Sequence, residues 1–270
     1  MAKLLGGTEL AAFIKERQAK QVRNLRQEHK IFPKLAIVVN QPTPVIESYM
    51  RAKKAYGEDI LIETEVFTVS MDDIAATIER LNVDEAIHAI IVQLPLSDMS
   101  KADEIIRLVA PEKDVDGLGS DNYFTPATAQ AIQWLLAGHN IGLEDKQLLI
   151  IGHGRLVGAP LAKLWRDSGL APKVVDRTVE DLATEVAQSD VIVTATGAPA
   201  IIEADMVKPR AVIIDAGTTS EDGVIVGDVA PGVYERDDIR ITPTRGGVGP
   251  LTVASLFDNV IQAARQRIEQ

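Results

Sequence analysis

A chain of 270 residues with 46% hydrophobic and 25% charged side chains has the balance of a soluble globular protein, and is long enough for one large or two modest cores. Its net charge of −11 argues against nonspecific nucleic-acid binding and against anionic membrane surfaces. The absence of cysteine excludes disulfides and thiolate metal sites and argues against a secreted framework.

Met1–Leu10 lacks an apolar core long enough for a signal segment, and no apolar run approaches the roughly 18 residues of a membrane span. A cytoplasmic protein with no membrane or nucleic-acid partner is expected. The periodicity predicts a helix over residues 8–29, capped by Thr8, with Leu10, Phe13, Ile14, Val22 and Leu25 on one face. Leu35–Val39 is a short β-branched run, read as a buried strand. A helix follows over Ile46–Tyr56, stopped at Gly57, then an alternating strand over Ile60–Phe67 and a helix over Met71–Leu81. Ala89–Leu94 reads as a second buried strand, broken by Pro95, and Lys101–Val109 as a short helix. Helix and strand therefore alternate through the first 110 residues, which points to a parallel three-layer α/β unit.

A polar cluster, Ser120, Asp121 and Asn122, marks a boundary to a second unit. A helix over Ala127–Ala137 leads to the stretch LLIIGHGRLVGAP at 148–160. Four apolar residues end at Gly152; Gly154 and Gly158 follow; then comes an apolar-periodic run with Leu161, Leu164 and Trp165. Strand, tight turn and helix in that order suit a dinucleotide pyrophosphate, because Gly154 lets it approach the backbone and the helix directs its N–H groups and dipole at it. The spacing G-x-G-x-x-x-G is one residue longer than the usual fingerprint, and by itself also fits an ordinary glycine-rich turn. Strands at Lys173–Val175, Val191–Ala195, Ala211–Asp215 and Ile239–Ile241, with a helix at Val179–Ala187, continue a Rossmann-type pattern. Gly246-Gly247-Val248-Gly249-Pro250 precedes a last helix to Ile268, whose apolar face is expected to pack back on the first unit. The fold class expected is α/β: a first domain of residues 1–120 plus 250–270, a Rossmann-like domain of residues 121–249, and a cleft between them.

Several polar residues carry possible chemistry. Tyr49 and Lys53 are four apart on one helix and share a face, which suits a flat heteroaromatic ring with proton transfer at its edge; a surface lysine beside a packing tyrosine fits the spacing as well. Gln93 stands at a strand's carboxyl end, where ligands of open α/β sheets bind. Asp114 and Asp116 would face one side if the chain there is extended, or form a solvated acidic turn. Asp176 lies 18 residues after Gly158, where a carboxylate would grip a ribose hydroxyl, with Arg177 beside it able to pair with a 2′-phosphate. The histidines, at 29, 88, 139 and 153, show no metal-ligand spacing, and no metal is expected.

The segments SYMRAKKA (48–55), VQLPL (92–96), PEKDVDG (111–117), GHGRLVGAP (152–160), VGD (226–228) and GGVGPLT (246–252) resemble, in order and spacing, the methylenetetrahydrofolate dehydrogenase/cyclohydrolase family. The resemblance implies oxidation of 5,10-methylenetetrahydrofolate to the methenyl form with NAD(P)+, then hydrolysis to 10-formyltetrahydrofolate. It implies that Tyr49 stacks on the folate, that Lys53 is the catalytic lysine of hydrolysis oriented by Gln93, and that Asp116 binds the pterin with Asp114 its neighbour. Gly246, Gly247 and Pro250 would line the folate cleft. Gly152, His153 and Gly154 would lie at the cofactor pyrophosphate, Asp176 and Arg177 at its ribose, and Thr218 at the nicotinamide side. It also implies a homodimer.

The chain departs from the family pattern in places. Gly152-His153-Gly154 replaces G-R-S, and Val175-Asp176-Arg177-Thr178 replaces a His-Ser-Lys/Arg-Thr strand end. The Arg and Ser lost at the first commonly serve an NADP phosphate, and both changes lean to NAD over NADP. Arg245 replaces an uncharged residue before Gly246. These changes also leave room for a folate- or dinucleotide-binding protein with reduced or single activity.

Overall fold

The computed structural model describes residues 1–119, 123–221 and 224–268; the boundary cluster Ser120, Asp121 and Asn122 lies outside them. In chain order the elements are β1 (Lys3–Leu4), α1 (Thr8–Glu28), β2 (Lys34–Val39), α2 (Pro44–Asp59), β3 (Glu63–Thr68), α3 (Ile74–Val83), β4 (Ala89–Gln93), α4 (Ala102–Arg107), α5 (Ala127–Gly138) and β5 (Leu148–Ile151). There follow α6 (Gly158–Asp167), β6 (Lys173–Val175), α7 (Leu182–Gln188), β7 (Val191–Thr194), β8 (Val212–Asp215), β9 (Thr219–Glu221), β10 (Val224–Val226), α8 (Pro231–Tyr234), β11 (Arg240–Ile241) and α9 (Val248–Arg265). The chain folds as two compact units, Ala12–Ala127 with Val253–Gln270, and Met1–Ala11 with Thr128–Thr252. Helices α1 and α9 each begin in one unit and end in the other.

The unit built on Ala12–Ala127 holds a three-stranded parallel sheet in the order β3-β2-β4. Its central strand, β2, is apolar on both faces because both are covered. Leu35, Ile37 and Val39 enter one core with Val22 and Leu25 of α1 and with Leu256, Phe257, Val260 and Ile261 of α9. Ala36 and Val38 enter another, with Ile74, Ile78 and Leu81 of α3 and Ile105 and Ile106 of α4. Two-residue alternation between two cores is what a parallel strand covered by helices on each side requires. The last helix thus packs as its apolar face predicts. A polar clamp fixes it: Gln18, fully buried, donates to the Ala254 carbonyl (2.8 Å) and to Asp258 (3.2 Å), and accepts from the Tyr56 hydroxyl (2.7 Å). Tyr56 stacks on Phe257 with ring centroids 5.0 Å apart.

The other unit holds a six-stranded parallel sheet in the order β1-β11-β8-β7-β5-β6. Leu149, Ile151, Val175, Ile192, Ile213 and Ile241 share one core with Val186, Ile202, Val207 and Val233. Strand order turns back at β5: the chain steps outward to β6 and then crosses to β7 and β8. The strand β1 and the antiparallel hairpin β9–β10 were not expected.

Several boundaries differ from those the sequence suggests, three of them for a plain physical reason. Gly57 does not stop α2 but lies buried inside it, because a side chain there would meet the Ile62 carbonyl at 2.8 Å and Thr64 Oγ1 at 2.7 Å. The third strand starts at Glu63 rather than Ile60; Ile60 caps α2 and is buried beneath it. The helix expected from Met71 starts at Ile74, since Ser70 and Asp73 bond each other in a preceding turn. Among the described residues, no helix is long and apolar enough to cross a membrane.

Candidate functional site

In the three-stranded sheet, β3 and β4 flank β2 on opposite sides, so the carboxyl ends of β2 and β4 bracket the point where strand order reverses. Gln93 is the last residue of β4 and pairs in register with Val39, the last of β2. Helix α2 rises just beyond, its first turn capped by Thr43 Oγ1, which accepts from the Ile46 N–H at 3.3 Å. That places Lys53 beside Gln93: the ammonium donates to Gln93 Oε1 at 2.8 Å. Gln93 Nε2 donates to the Leu94 carbonyl at 2.8 Å, which fixes the amide with its oxygen toward the lysine. Burial lowers the Lys53 pKa, and the charge of Asp116 opposes the fall; burial raises that of Asp116, and Lys53 opposes the rise. Lys53, Gln93 and Asp116 therefore form one cluster. Tyr49 lies one turn before Lys53 on α2, with 41% of its surface exposed.

Asp114 and Asp116 do not share a face of an extended strand. The segment is a tight turn, in which Lys113 and Asp114 N–H both donate to the Ala110 carbonyl and Gly117 N–H donates to the Asp114 carbonyl. Asp114 Oδ2 accepts from the Gly119 N–H at 2.7 Å, while Asp116 acts on Lys53. Lys113, which sequence reasoning passed over, is 6% exposed and donates to the carbonyls of Leu81 (2.9 Å) and Asp84 (2.8 Å), pinning the turn to the end of α3. A lysine in a charged motif gives no sign of such burial.

Burial pushes the Asp114 carboxyl up to about 6, with the charge of Asp116 adding to it and the N–H groups of Gly119, Gly117 and Leu118 drawing it down. A folded carboxyl that holds its proton more tightly than the unfolded chain loses stability as pH rises from about 4 through about 6. Asp114→Asn keeps the acceptor for Gly119 and removes the buried charge. Thermal melts should show the variant more stable above pH 7, by roughly 1–3 kcal/mol, and no different below pH 4. A gain independent of pH would refute this account.

In the six-stranded sheet the glycine turn sits at the carboxyl end of β5. Gly152 has φ +99°, a region that side chains rarely adopt, and a Cβ there would meet the Ala195 carbonyl at 2.7 Å. Gly158 opens α6 directly over that turn: a Cβ would fall 1.8 Å from the Gly152 carbonyl oxygen. Space around Gly154 is open. No side chain caps the N-terminus of α6; the Ala159 N–H donates to the Gly154 carbonyl at 3.0 Å and Pro160 carries none, so the Gly158 N–H and the positive end of the helix dipole are what the turn offers an anion. His153, Asp176 and Thr178 line a groove of about 470 Å³ with Arg166 and Val179. Asp176 Oδ1 accepts from the N–H (2.9 Å) and hydroxyl (2.6 Å) of Thr178, which holds the carboxylate below the usual range. Arg177 is exposed beside it. On the loop after β8, Thr218 is exposed, and the Thr219 hydroxyl bonds the Gly197 carbonyl of the loop after β7. These features fit a nicotinamide dinucleotide.

Gly246, Gly247 and Pro250 lie in this second unit. The Gly246 carbonyl accepts from the Gly7 N–H (2.8 Å) and the Thr8 hydroxyl (3.3 Å), and Pro250 is in the first turn of α9. Two further aspartates stand at the ends of β8 and β10. Asp228, 1% exposed, accepts from the hydroxyls of Thr194 (2.6 Å) and Thr196 (2.9 Å); Asp215 accepts from the N–H groups of Gly217 (3.0 Å), Asp228 (3.1 Å) and Val229 (3.2 Å). They tie together the loops after β7, β8 and β10.

One unit with a dinucleotide turn and another with a lysine–amide–carboxylate cluster define a two-unit α/β oxidoreductase. The family model for the tetrahydrofolate dehydrogenase/cyclohydrolase catalytic domain matches residues 5–116, and that for its NAD(P)-binding domain matches residues 126–268. A Lactobacillus delbrueckii protein named "Bifunctional protein FolD" is 35% identical, the match covering 99% of each chain. The crystal structure of the bifunctional FolD enzyme from Campylobacter jejuni superposes with a TM-score of 0.92 at 32% identity, covering 99% of this chain and 100% of that one. The Trypanosoma brucei enzyme, solved with NADP and an inhibitor, gives 0.93 at 27% identity, covering 100% and 99%. The chain belongs to the tetrahydrofolate dehydrogenase/cyclohydrolase family and is a bifunctional NAD(P)-dependent dehydrogenase and cyclohydrolase of one-carbon folate metabolism.

Proposed function

We propose that Lys53, Gln93 and Asp116 carry the folate chemistry of this chain, and that NAD is its preferred cofactor. The observation that carries the first reading is the Lys53–Gln93 hydrogen bond, with Asp116 acting on the same amine. Hydrolysis starts from a cation with C11 between N5 and N10. Water attacks C11 and gives a proton to neutral Lys53; burial, which disfavours the charged amine, makes that form accessible. The C11–N5 bond then breaks as the new hydroxyl becomes the formyl oxygen, and its proton passes through Lys53 to N5. One proton is released overall. Gln93, accepting from Lys53, holds the amine in place through both transfers. Tyr49 stacks its exposed ring on the pterin, which Asp116 binds by its carboxylate. Asp114, the neighbour of Asp116 in the motif, is assigned with it to the substrate, its Oδ2 also accepting from the Gly119 N–H. The family resemblance assigns Gly246, Gly247 and Pro250 to folate binding as well.

In the oxidation, a lone pair on N5 or N10 stabilises the cation left as hydride departs from C11, so the chain has chiefly to position two rings. The bound nicotinamide is the hydride acceptor. Gly152, His153 and Gly154 with the N-terminal dipole of α6 would hold the pyrophosphate, and Thr218 the nicotinamide side. Asp176 would accept from the ribose through Oδ2, its other oxygen being held by Thr178, and would repel a 2′-phosphate; Arg177 tempers that repulsion. The chain is taken to work in the cytoplasm as a homodimer, without nucleic-acid or membrane partners.

The cofactor assignment is tested by comparing the two nicotinamides as substrates. The Michaelis constant for NAD should be at least about tenfold below that for NADP, a difference of roughly 1.4 kcal/mol, and Asp176→Ser should narrow the gap. A wild-type preference for NADP would overturn the role given to Asp176.

A further inference from the structure

We infer that Asn259, on α9, is a positioning residue that sets Asp116 against Lys53 for the folate reactions. The inference rests on the roles proposed above for Asp116 and Lys53.

Asn259 is 4% exposed, on a helix whose neighbouring side chains, Leu256, Phe257, Val260 and Ile261, fill the core around β2. A polar amide at such a place is unfavourable unless its donors are matched. Both are: Nδ2 donates to the carbonyl of Val115 and to that of Thr125, each at 2.9 Å. The Val115 carbonyl belongs to the peptide that leads directly into Asp116. Fixing it fixes the backbone from which the Asp116 side chain departs. On the far side of Asp116, Gly117 donates to the Asp114 carbonyl and lies so close to the next segment that a Cβ would meet the Phe124 carbonyl at 2.6 Å. The second bond of Asn259, to Thr125, grips that same segment. Asp116 is therefore held between two backbone points that one buried amide joins.

Docking α9 does not call for this amide. The Gln18 clamp, an ion pair between Arg17 and Asp258 at 2.6 Å and the Tyr56–Phe257 stack already hold the helix. Lys113 and Asp114 anchor the turn where it faces α3, β4 and Gly119, but their side-chain bonds go to Leu81, Asp84 and Gly119, and the side chain that bonds the Val115 carbonyl is that of Asn259.

The test is a double-mutant cycle on the full-length enzyme with 5,10-methylenetetrahydrofolate. Asn259→Leu removes both donors while keeping the number and branching of side-chain heavy atoms, and the smaller Asn259→Ser serves if the bulkier leucine variant does not fold. In the wild-type background the folate KM should rise at least fivefold, with kcat for hydride transfer changed less than twofold. In an Asp116→Ala background the same substitution should change KM less than 1.5-fold, because the residue it positions is gone. An equal effect in both backgrounds, or none in the wild type, would overturn the inference. Should Asp116→Ala alone leave the folate KM unchanged, the error lies instead in the role assigned to Asp116.

Discussion

Lys53→Met is expected to lower the rate of methenyltetrahydrofolate hydrolysis by roughly 10²–10⁴, the range for loss of a positioned general base, while hydride transfer with methylenetetrahydrofolate falls much less. Methionine keeps the length and apolar stem of lysine, so it fills the same half-buried place beside Gln93 and leaves α2 undisturbed. What disappears is an amine whose charged form is disfavoured by burial and whose position is set by Gln93 Oε1. Hydride departure from C11 needs no proton acceptor, so the first reaction does not require that amine. Stopped-flow absorbance of the methenyl chromophore separates the two steps: the variant should accumulate the cation. Hydrolysis at the wild-type rate would remove Lys53 from the mechanism.

Gly158→Ala should produce the opposite defect. Its new methyl would lie 1.8 Å from the Gly152 carbonyl oxygen, 2.8 Å from the carbonyl carbon and 3.3 Å from His153 Cα, all backbone atoms that no rotamer change can move aside. The turn must open and α6 must shift from the seat proposed for the pyrophosphate. Cofactor affinity should fall at least 100-fold, on the order of 3 kcal/mol, as titration calorimetry with NAD and NADP would read it. Hydrolysis of added methenyltetrahydrofolate should continue, because Lys53, Gln93 and Asp116 belong to the other unit. An unchanged cofactor affinity would mean that the glycine turn is not the cofactor's seat.

The parallel sheets were legible in the sequence because their strands are covered on both sides: Leu35–Val39, Ala89–Val92 and Leu148–Ile151 are unbroken apolar runs, and each became a strand. β1, two residues long, and β9, Thr219–Glu221, lacked any such run, and the three apolar residues of β10 between Gly223 and Gly227 make a run shorter than those. Gly57 misled because helix-stopping glycine and close-packed glycine look alike in one dimension; only the carbonyl of Ile62 beside it tells them apart. At the site, the Lys53–Gln93 pairing was legible only through family likeness, since the two lie 40 residues apart. The fates of Asp114 and Asp116 were not, since they depend on where a turn folds. The part of Asn259 was the least accessible, because its partners Val115 and Thr125 lie 144 and 134 residues away along the chain.

The route of the chain also sets a timetable for synthesis. The cluster around β2 is drawn from α1, the strands that follow it and then α9, with all of 128–252 intervening. A nascent chain emerging from the ribosome therefore exposes Leu35, Ile37 and Ile91 until Phe257 and Val260 arrive, after the whole dinucleotide-binding unit has been made. The folate-binding half matures last although it is translated first, and a premature stop near residue 250 would spare the glycine turn yet leave the lysine's own scaffold without its closing helix.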